Sequence, residues 1–198
     1  MEIAPVTLEG THVRMEPLDL PRHWDGLAAI GLDPMLWRFT LAKIRAEDDL
    51  RRYLETALEE QSRGVSLPFA TIHRASGRVA GCTRFGNIER THRRAEIGWT
   101  WVGRAHQRTA VNTEAKLLML RHAFETWVLR RVEFKTSSLN EPSKKAMRRL
   151  GLVEEGTLRK HMINEDGSPR HSVYFSVLDD EWPAMKARLE RMLAAPPG

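Results

Sequence analysis

The residues from Arg94 to Trp127 limit what this chain can fold into more than any other stretch. Ala95-Glu96-Ile97-Gly98-Trp99-Thr100-Trp101-Val102 is dense in aromatic and β-branched side chains, which suits a largely buried strand. Further on, Ala115, Leu118, Met119, Ala123 and Trp127 recur at helical spacing. Between the two lies a polar loop, Gly103 to Asn112, whose last residue and the following Thr113 are good helix N-caps. A strand, a loop and a helix start in this order aim several unpaired N–H groups and the positive helix end at one point. That is an anion site, and a pyrophosphate is its usual occupant.

The rest of the chain alternates strand and helix patterns around this unit. Val13 to Leu18 alternates as an opening strand, and Asp19 to Trp37 is helical in part, with Trp24, Leu27, Ala28 and Ile30 apolar, until Asp33-Pro34 breaks it. Trp37, Phe39 and Leu41 then form an apolar loop that either covers the core or walls a pocket. From Ala46, the residues Leu50, Tyr53, Leu54, Ala57 and Leu58 mark an amphipathic helix ended by Gly64. Leu67–His73 and Val79–Phe85 predict two strands joined at Ala75-Ser76-Gly77, with a second turn from Asn87 to Arg94. Arg131–Thr136 alternates again. Asn140 then caps a helix with Pro142 in its first turn, Gly151 at its end, and Ser143, Ala146, Met147 and Leu150 on one face. A last hairpin turns at Asp166-Gly167, between arms at Thr157–Ile163 and Arg170–Leu178, and a helix from about Asp180 to Leu193 leads to a frayed tail at 194–198. The order predicts a mixed α/β fold, one domain over 1–198, with hairpins and crossovers together.

Composition narrows the function classes. Charged residues make up 29% and hydrophobic residues 41%, a globular balance. No apolar run is long enough for a membrane span, and no leader-like apolar segment opens the chain, so the expected location is the cytoplasm. A single cysteine, Cys82, cannot form an internal disulfide and reads as a small mid-strand core residue. The 8 histidines lack metal-ligand spacing, so no metal is expected. The net charge of +5 favours an anionic partner, and a nucleic acid is the less expected one. Arg90-Thr91-His92-Arg93-Arg94 reads as a solvated turn, and Phe124 and Trp127 as core.

Three features together resemble the GCN5-related N-acetyltransferases, in the branch similar to the ribosomal-protein N-terminal acetyltransferases (RimJ/RimL-like). Ala95-Glu96-Ile97-Gly98-Trp99 is similar to the family's central strand. Gln107-Arg108-Thr109-Ala110-Val111-Asn112 stands where the family has a pyrophosphate loop of the form Gln/Arg-x-x-Gly-x-Gly/Ala. Asn140-Glu141-Pro142-Ser143 through Leu150-Gly151-Leu152, followed by Glu155-Gly156-Thr157-Leu158-Arg159, resembles the family's Asn-x-x-Ser…Leu-Gly-Phe segment. Ala110 and Asn112 depart from the pattern, where small residues let backbone approach phosphate or take positive φ.

The resemblance implies a mostly antiparallel sheet, flanked by helices, that splays between two central parallel strands. It implies acetyl-CoA as co-substrate, gripped by backbone N–H groups from Arg108 through Thr113, with the acetyl group in the splay and a strand N–H near Trp101 or Val102 on its carbonyl. Transfer to an amine also needs that amine neutral and the departing thiolate protonated. Ser143 resembles the serine that meets the sulfur in this branch, or it caps its own helix; Asn140 caps and holds the pantetheine arm. Glu96 or His161 is expected to orient the amine or its water. The alternative for Glu96 is a surface glutamate paired with Arg94 or Lys135, and the alternative for His161 is a structural strand histidine. Met162 stands near where the branch has a glutamate. The implied reaction is direct transfer in a ternary complex to a primary amine, a protein or peptide N-terminus at the level of the branch. Two alternatives stay open: a small-molecule amine as acceptor, or a non-catalytic CoA- or RNA-binding module. The resemblance also allows a homodimer.

Overall fold

A computed structural model describes residues 1–195. Eight strands form one sheet: β1 (Leu8–Glu9), β2 (Val13–Pro17), β3 (Leu67–His73), β4 (Arg78–Glu89), β5 (Arg94–Val102), β6 (Arg131–Ser137), β7 (Val153–Ile163) and β8 (Pro169–Leu178). Their order across the sheet is β1-β2-β3-β4-β5-β6-β8-β7. Every neighbouring pair is antiparallel except β5 and β6. A parallel pair needs a crossover, and α3 (Ala110–Arg121) supplies it. The other helices are α1 (Leu20–Gly31), α2 (Glu47–Ser62), α4 (Glu141–Leu150) and α5 (Trp182–Ala194).

Two apolar clusters sandwich the sheet. Met119, Leu120, Trp182 and Leu189 of α3 and α5 pack with Phe69, Phe85 and Phe175 on one face. On the other, Leu27 of α1 and Leu50 and Leu54 of α2 close over Cys82 and Trp101. Strand side chains alternate between faces, so neighbouring residues of β4 and β5 feed both cores.

The ladder breaks at the centre in two ways. Arg84 of β4 faces Gly98 of β5, yet Cys82 faces Trp101, so Trp99 and Thr100 together oppose Thr83. This is a β-bulge, and Trp99 takes a left-handed φ of 50° to make it. The parallel pairing of β5 with β6 runs only from Arg94↔Arg131 to Glu96↔Glu133. Beyond Glu96 the strands part, as the resemblance implied.

Several boundaries differ from the sequence expectation. Thr109, rather than Asn112 or Thr113, caps α3: its Oγ1 accepts the Val111 N–H at 3.3 Å. Arg108 takes a left-handed φ of 59° and the chain then turns directly into the helix, so Ala110, Val111 and Asn112 form its first turn. At its far end α3 widens into a π-turn over His122–Thr126, and the Trp127 N–H bonds the His122 carbonyl at 3.0 Å. β4 runs on to Glu89 through a kink at Asn87, so the turn predicted from Asn87 begins later. β7 starts at Val153 and carries a bulge between Leu158 and Met162 with Lys160 at φ 50°. The helix α5 includes Ala194; of the predicted tail, residues 196–198 lie outside the described residues. The two-residue strand β1 has too little pattern to be seen in the sequence.

Candidate active site

The splay of β5 from β6 opens a cleft of about 640 Å³, walled by the bulge, α3, α4 and the segment after α1. Trp37 belongs to both core and cleft. It is 2% exposed, and its indole N–H bonds the Gly31 carbonyl at 2.6 Å. Phe39 and Leu41 line the cleft, so the apolar loop both covers the core and walls the pocket.

Of the predicted cofactor residues, Trp101, Val102, Gln107, Arg108, Asn112, Asn140 and Ser143 line the cleft. The side chains of Val111 and Thr113 turn away into the protein, and Thr113 Oγ1 accepts from Arg149 at 3.1 Å. Thr109 and Ala110 are not among the residues that line the cleft. In the first turn, the Ala110 and Asn112 N–H groups have no carbonyl four residues behind them within the helix. They remain free to meet an anion. The position that needs left-handed backbone is Arg108, one for which the loop pattern specifies no glycine. Ala110 is ordinary helix, so losing a glycine there costs no strain. The far side of α3 is held by Glu114, whose carboxylate accepts the Thr11, His12 and Val13 N–H groups at 2.6–2.8 Å.

Val102 is placed by the alternation of strand backbone. The Gly103 N–H bonds the Ala80 carbonyl at 2.8 Å, so Gly103 faces β4 and Val102 faces away from it. Its carbonyl duly accepts from Gln107 Nε2 at 2.9 Å, on the splayed side. Its N–H points the same way, where β6 no longer pairs.

Asn140 caps α4, with its Oδ1 taking the Ser143 N–H at 3.2 Å. Ser143 is thus the residue capped, not the cap, and its side chain is left to the cleft wall. Glu96 is 4% exposed, which corrects the surface alternative. Asn87 Nδ2 donates to it at 2.8 Å, and Lys135 Nζ sits 3.4 Å away, while Arg94 pairs with Glu133 instead. Glu96 lines the cleft. His161 does not. It is exposed on β7, with Nδ1 3.0 Å from Ser172 Oγ, and the β7 bulge leaves Met162 on the cleft side. Cys82 is buried, and desolvation pushes its thiol up to about 12, as suits an inert core residue.

The sequence reading passed over Lys116. It is 5% exposed, lines the cleft, and reaches Thr100 Oγ1 at 2.8 Å and Thr83 Oγ1 at 3.3 Å across the bulge. No carboxylate lies within ion-pair distance of it among the described residues, and burial lowers its amine to about 7. A signal existed: Lys116 falls three and seven residues before Met119 and Ala123, on the apolar face of its helix. Arg84, buried opposite Gly98, was missed in the same way. No helix is long and apolar enough to cross a membrane among the described residues.

Comparison with known proteins agrees with this fold. Residues 12–153 match the family model described as the acetyltransferase (GNAT) domain. The crystal structure of a GCN5-related N-acetyltransferase from Brucella melitensis is 32% identical, with a TM-score of 0.89 over 98% of this chain and 87% of that one. YdaF of Bacillus subtilis (strain 168), provisionally named a ribosomal N-acetyltransferase, is 31% identical over 110 residues. That match covers 56% of this chain and only 59% of YdaF. The ribosomal-protein-serine acetyltransferase of Escherichia coli (strain K12) is 24% identical over 138 residues, 70% of this chain and 75% of that protein.

Proposed function

The chain belongs to the GNAT acetyltransferase family, and from that premise we propose that it is an acetyl-CoA-dependent N-acetyltransferase acting by direct transfer to a primary amine. One observation supports the proposal: a single cleft is lined by Asn112 in the first turn of α3, Val102 with its outward N–H, Ser143 and the buried carboxylate of Glu96. Acetyl-CoA would supply an activated acetyl thioester. Its fit rests on the start of α3, where the Ala110 and Asn112 N–H groups suit a diphosphate, and on Arg108, which lines the cleft with Asn112. Asn140 and the α4 side of the cleft would bracket the pantetheine arm.

This chain's own groups then divide the work. The Val102 N–H stabilises the negative charge that grows on the carbonyl oxygen. Glu96, held by Asn87 and Lys135, orients the incoming amine or the water that takes its proton. An α-amine, with a pKa near 7.7–8.0, needs little help to become neutral. Ser143 Oγ gives its proton to the sulfur that leaves and regains one from water. His161, outside the cleft wall, has no part in this scheme. A peptide or protein N-terminus is the acceptor we favour, in keeping with the names of the two bacterial relatives. The test is acetyl-CoA-dependent release of free thiol over a panel of N-terminal peptides, polyamines and amino sugars. Peptides are expected to lead; no release with any amine would end the enzyme assignment.

A further inference from the structure

Two arginines line the cleft on the side away from α3. Arg84, only 6% exposed, stacks its guanidinium 4.1 Å from the centre of the Trp99 ring. Glu60 Oε2 forms an ion pair with its Nη1 at 2.9 Å, and its Nε is buried without an acceptor. Arg170 donates one hydrogen bond, from Nη1 to the Phe39 carbonyl at 2.9 Å, and its buried Nε has none. Among the described residues no carboxylate lies within 4.0 Å of Arg170. No ligand reaches those buried nitrogens, but the Nη2 groups of both arginines are not buried and make no hydrogen bond among the described residues; a guanidinium cannot shed its charge, so each offers a free donor to an acceptor in the cleft.

Their position relates this to the reacting amine. Arg84 pairs with Gly98, and Glu96 with Gly86, so Arg84 and Glu96 are diagonal neighbours across β4 and β5. Such neighbours lie about 7–8 Å apart. They do not pair with each other: Arg84 leans to Glu60 on α2 and Glu96 to Lys135 on β6. An acceptor whose amine sits at Glu96 would bring its next few atoms toward Arg84.

The geometry points to an acceptor that carries a carboxylate close to its amine, bound through the free donors of Arg84 and Arg170. The inference rests on the acceptor cleft proposed above and adds the charge of its substrate. Planar, bidentate recognition of a carboxylate is what a guanidinium does best. Two sources share this chemistry: an N-terminal peptide with Asp or Glu in its first two residues, and a free acidic amino acid.

Calorimetry on the full chain saturated with CoA tests this without requiring turnover. The probes are the amidated tripeptides Ser-Asp-Ala and Ser-Asn-Ala, and free glutamate against glutamine amide, which carries no carboxylate. At least one carboxylate member is expected to bind tenfold or more tightly than its amide twin, and the pair that shows it identifies the source. Arg170→Gln, and Arg84→Lys as a second variant that keeps the charge, should each shrink that ratio below threefold without altering CoA affinity. Equal binding within both pairs, no binding by any probe, or a ratio unmoved in both variants would overturn the inference. Thiol release measured alongside separates the two proposals. Turnover that ignores the carboxylate leaves the enzyme and removes this site; selective binding without turnover does the reverse.

Discussion

Lys116 shows how far one side chain can depart from its pattern. Its folded pKa, about 7, lies below the unfolded lysine value of about 10.4. Between those values the unfolded chain binds more protons than the native state, so stability rises with pH across the window. The penalty is fully present below pH 7 and absent above the unfolded value. Lys116→Met should therefore stabilise the protein, by a few kcal/mol (~3–5 from the shift alone), and by more at pH 6 than at pH 9 in denaturant titrations. Equal gains at both pH values would mean the amine is not desolvated. Ser143→Ala addresses chemistry instead: kcat should fall on the order of 10²-fold, with acetyl-CoA affinity unchanged. Because Asn140 does the capping, an unchanged kcat would leave Ser143 with no catalytic role. Ser143, Asn140 and Glu96 were legible in the sequence because they stand in a recognisable segment order. Lys116 and Arg84 were not, because a charged residue within apolar spacing reads as noise until burial is known.

At the scale of elements, the start of α3 decides the anion site. Thr109 caps it, and Thr109→Ala should lower stability by about 1 kcal/mol and weaken CoA binding with it. Arg108 holds the left-handed conformation, which a non-glycine residue adopts at a cost of roughly 1–2 kcal/mol. Arg108→Gly should therefore leave the melting temperature equal or higher, while CoA affinity falls through the lost guanidinium. A clear drop in melting temperature would show that the side chain holds the loop. The bulge has its own sensitive point: a Cβ at Gly81 would collide with the Trp101 carbonyl oxygen. Most elements were readable from period and caps alone. The errors fell at Thr109 and Asn87, where a single capping or left-handed residue moves a boundary that hydrophobic pattern does not register, while the left-handed Lys160 adds a bulge inside a predicted arm.

Across the whole molecule, the two cores hold opposite faces of one sheet while its centre stays open. Met119 and Phe85 belong to the α3 side, and Trp101 and Leu54 to the α2 side. The gap between β5 and β6 is thus held open by packing on both faces. The sheet order and the parallel pair follow from the alternation of strands with a crossover helix. The width of the cleft and its buried charges do not, since both depend on how far two strands part after Glu96 and Glu133. A crystal structure of the protein with CoA decides whether the start of α3 grips the cofactor. Diphosphate oxygens are expected about 2.9 Å from the Ala110 and Asn112 amides, with the pantetheine arm entering the gap beside Val102. Diphosphate bound elsewhere, or a start of α3 left bare at saturating CoA, would contradict this.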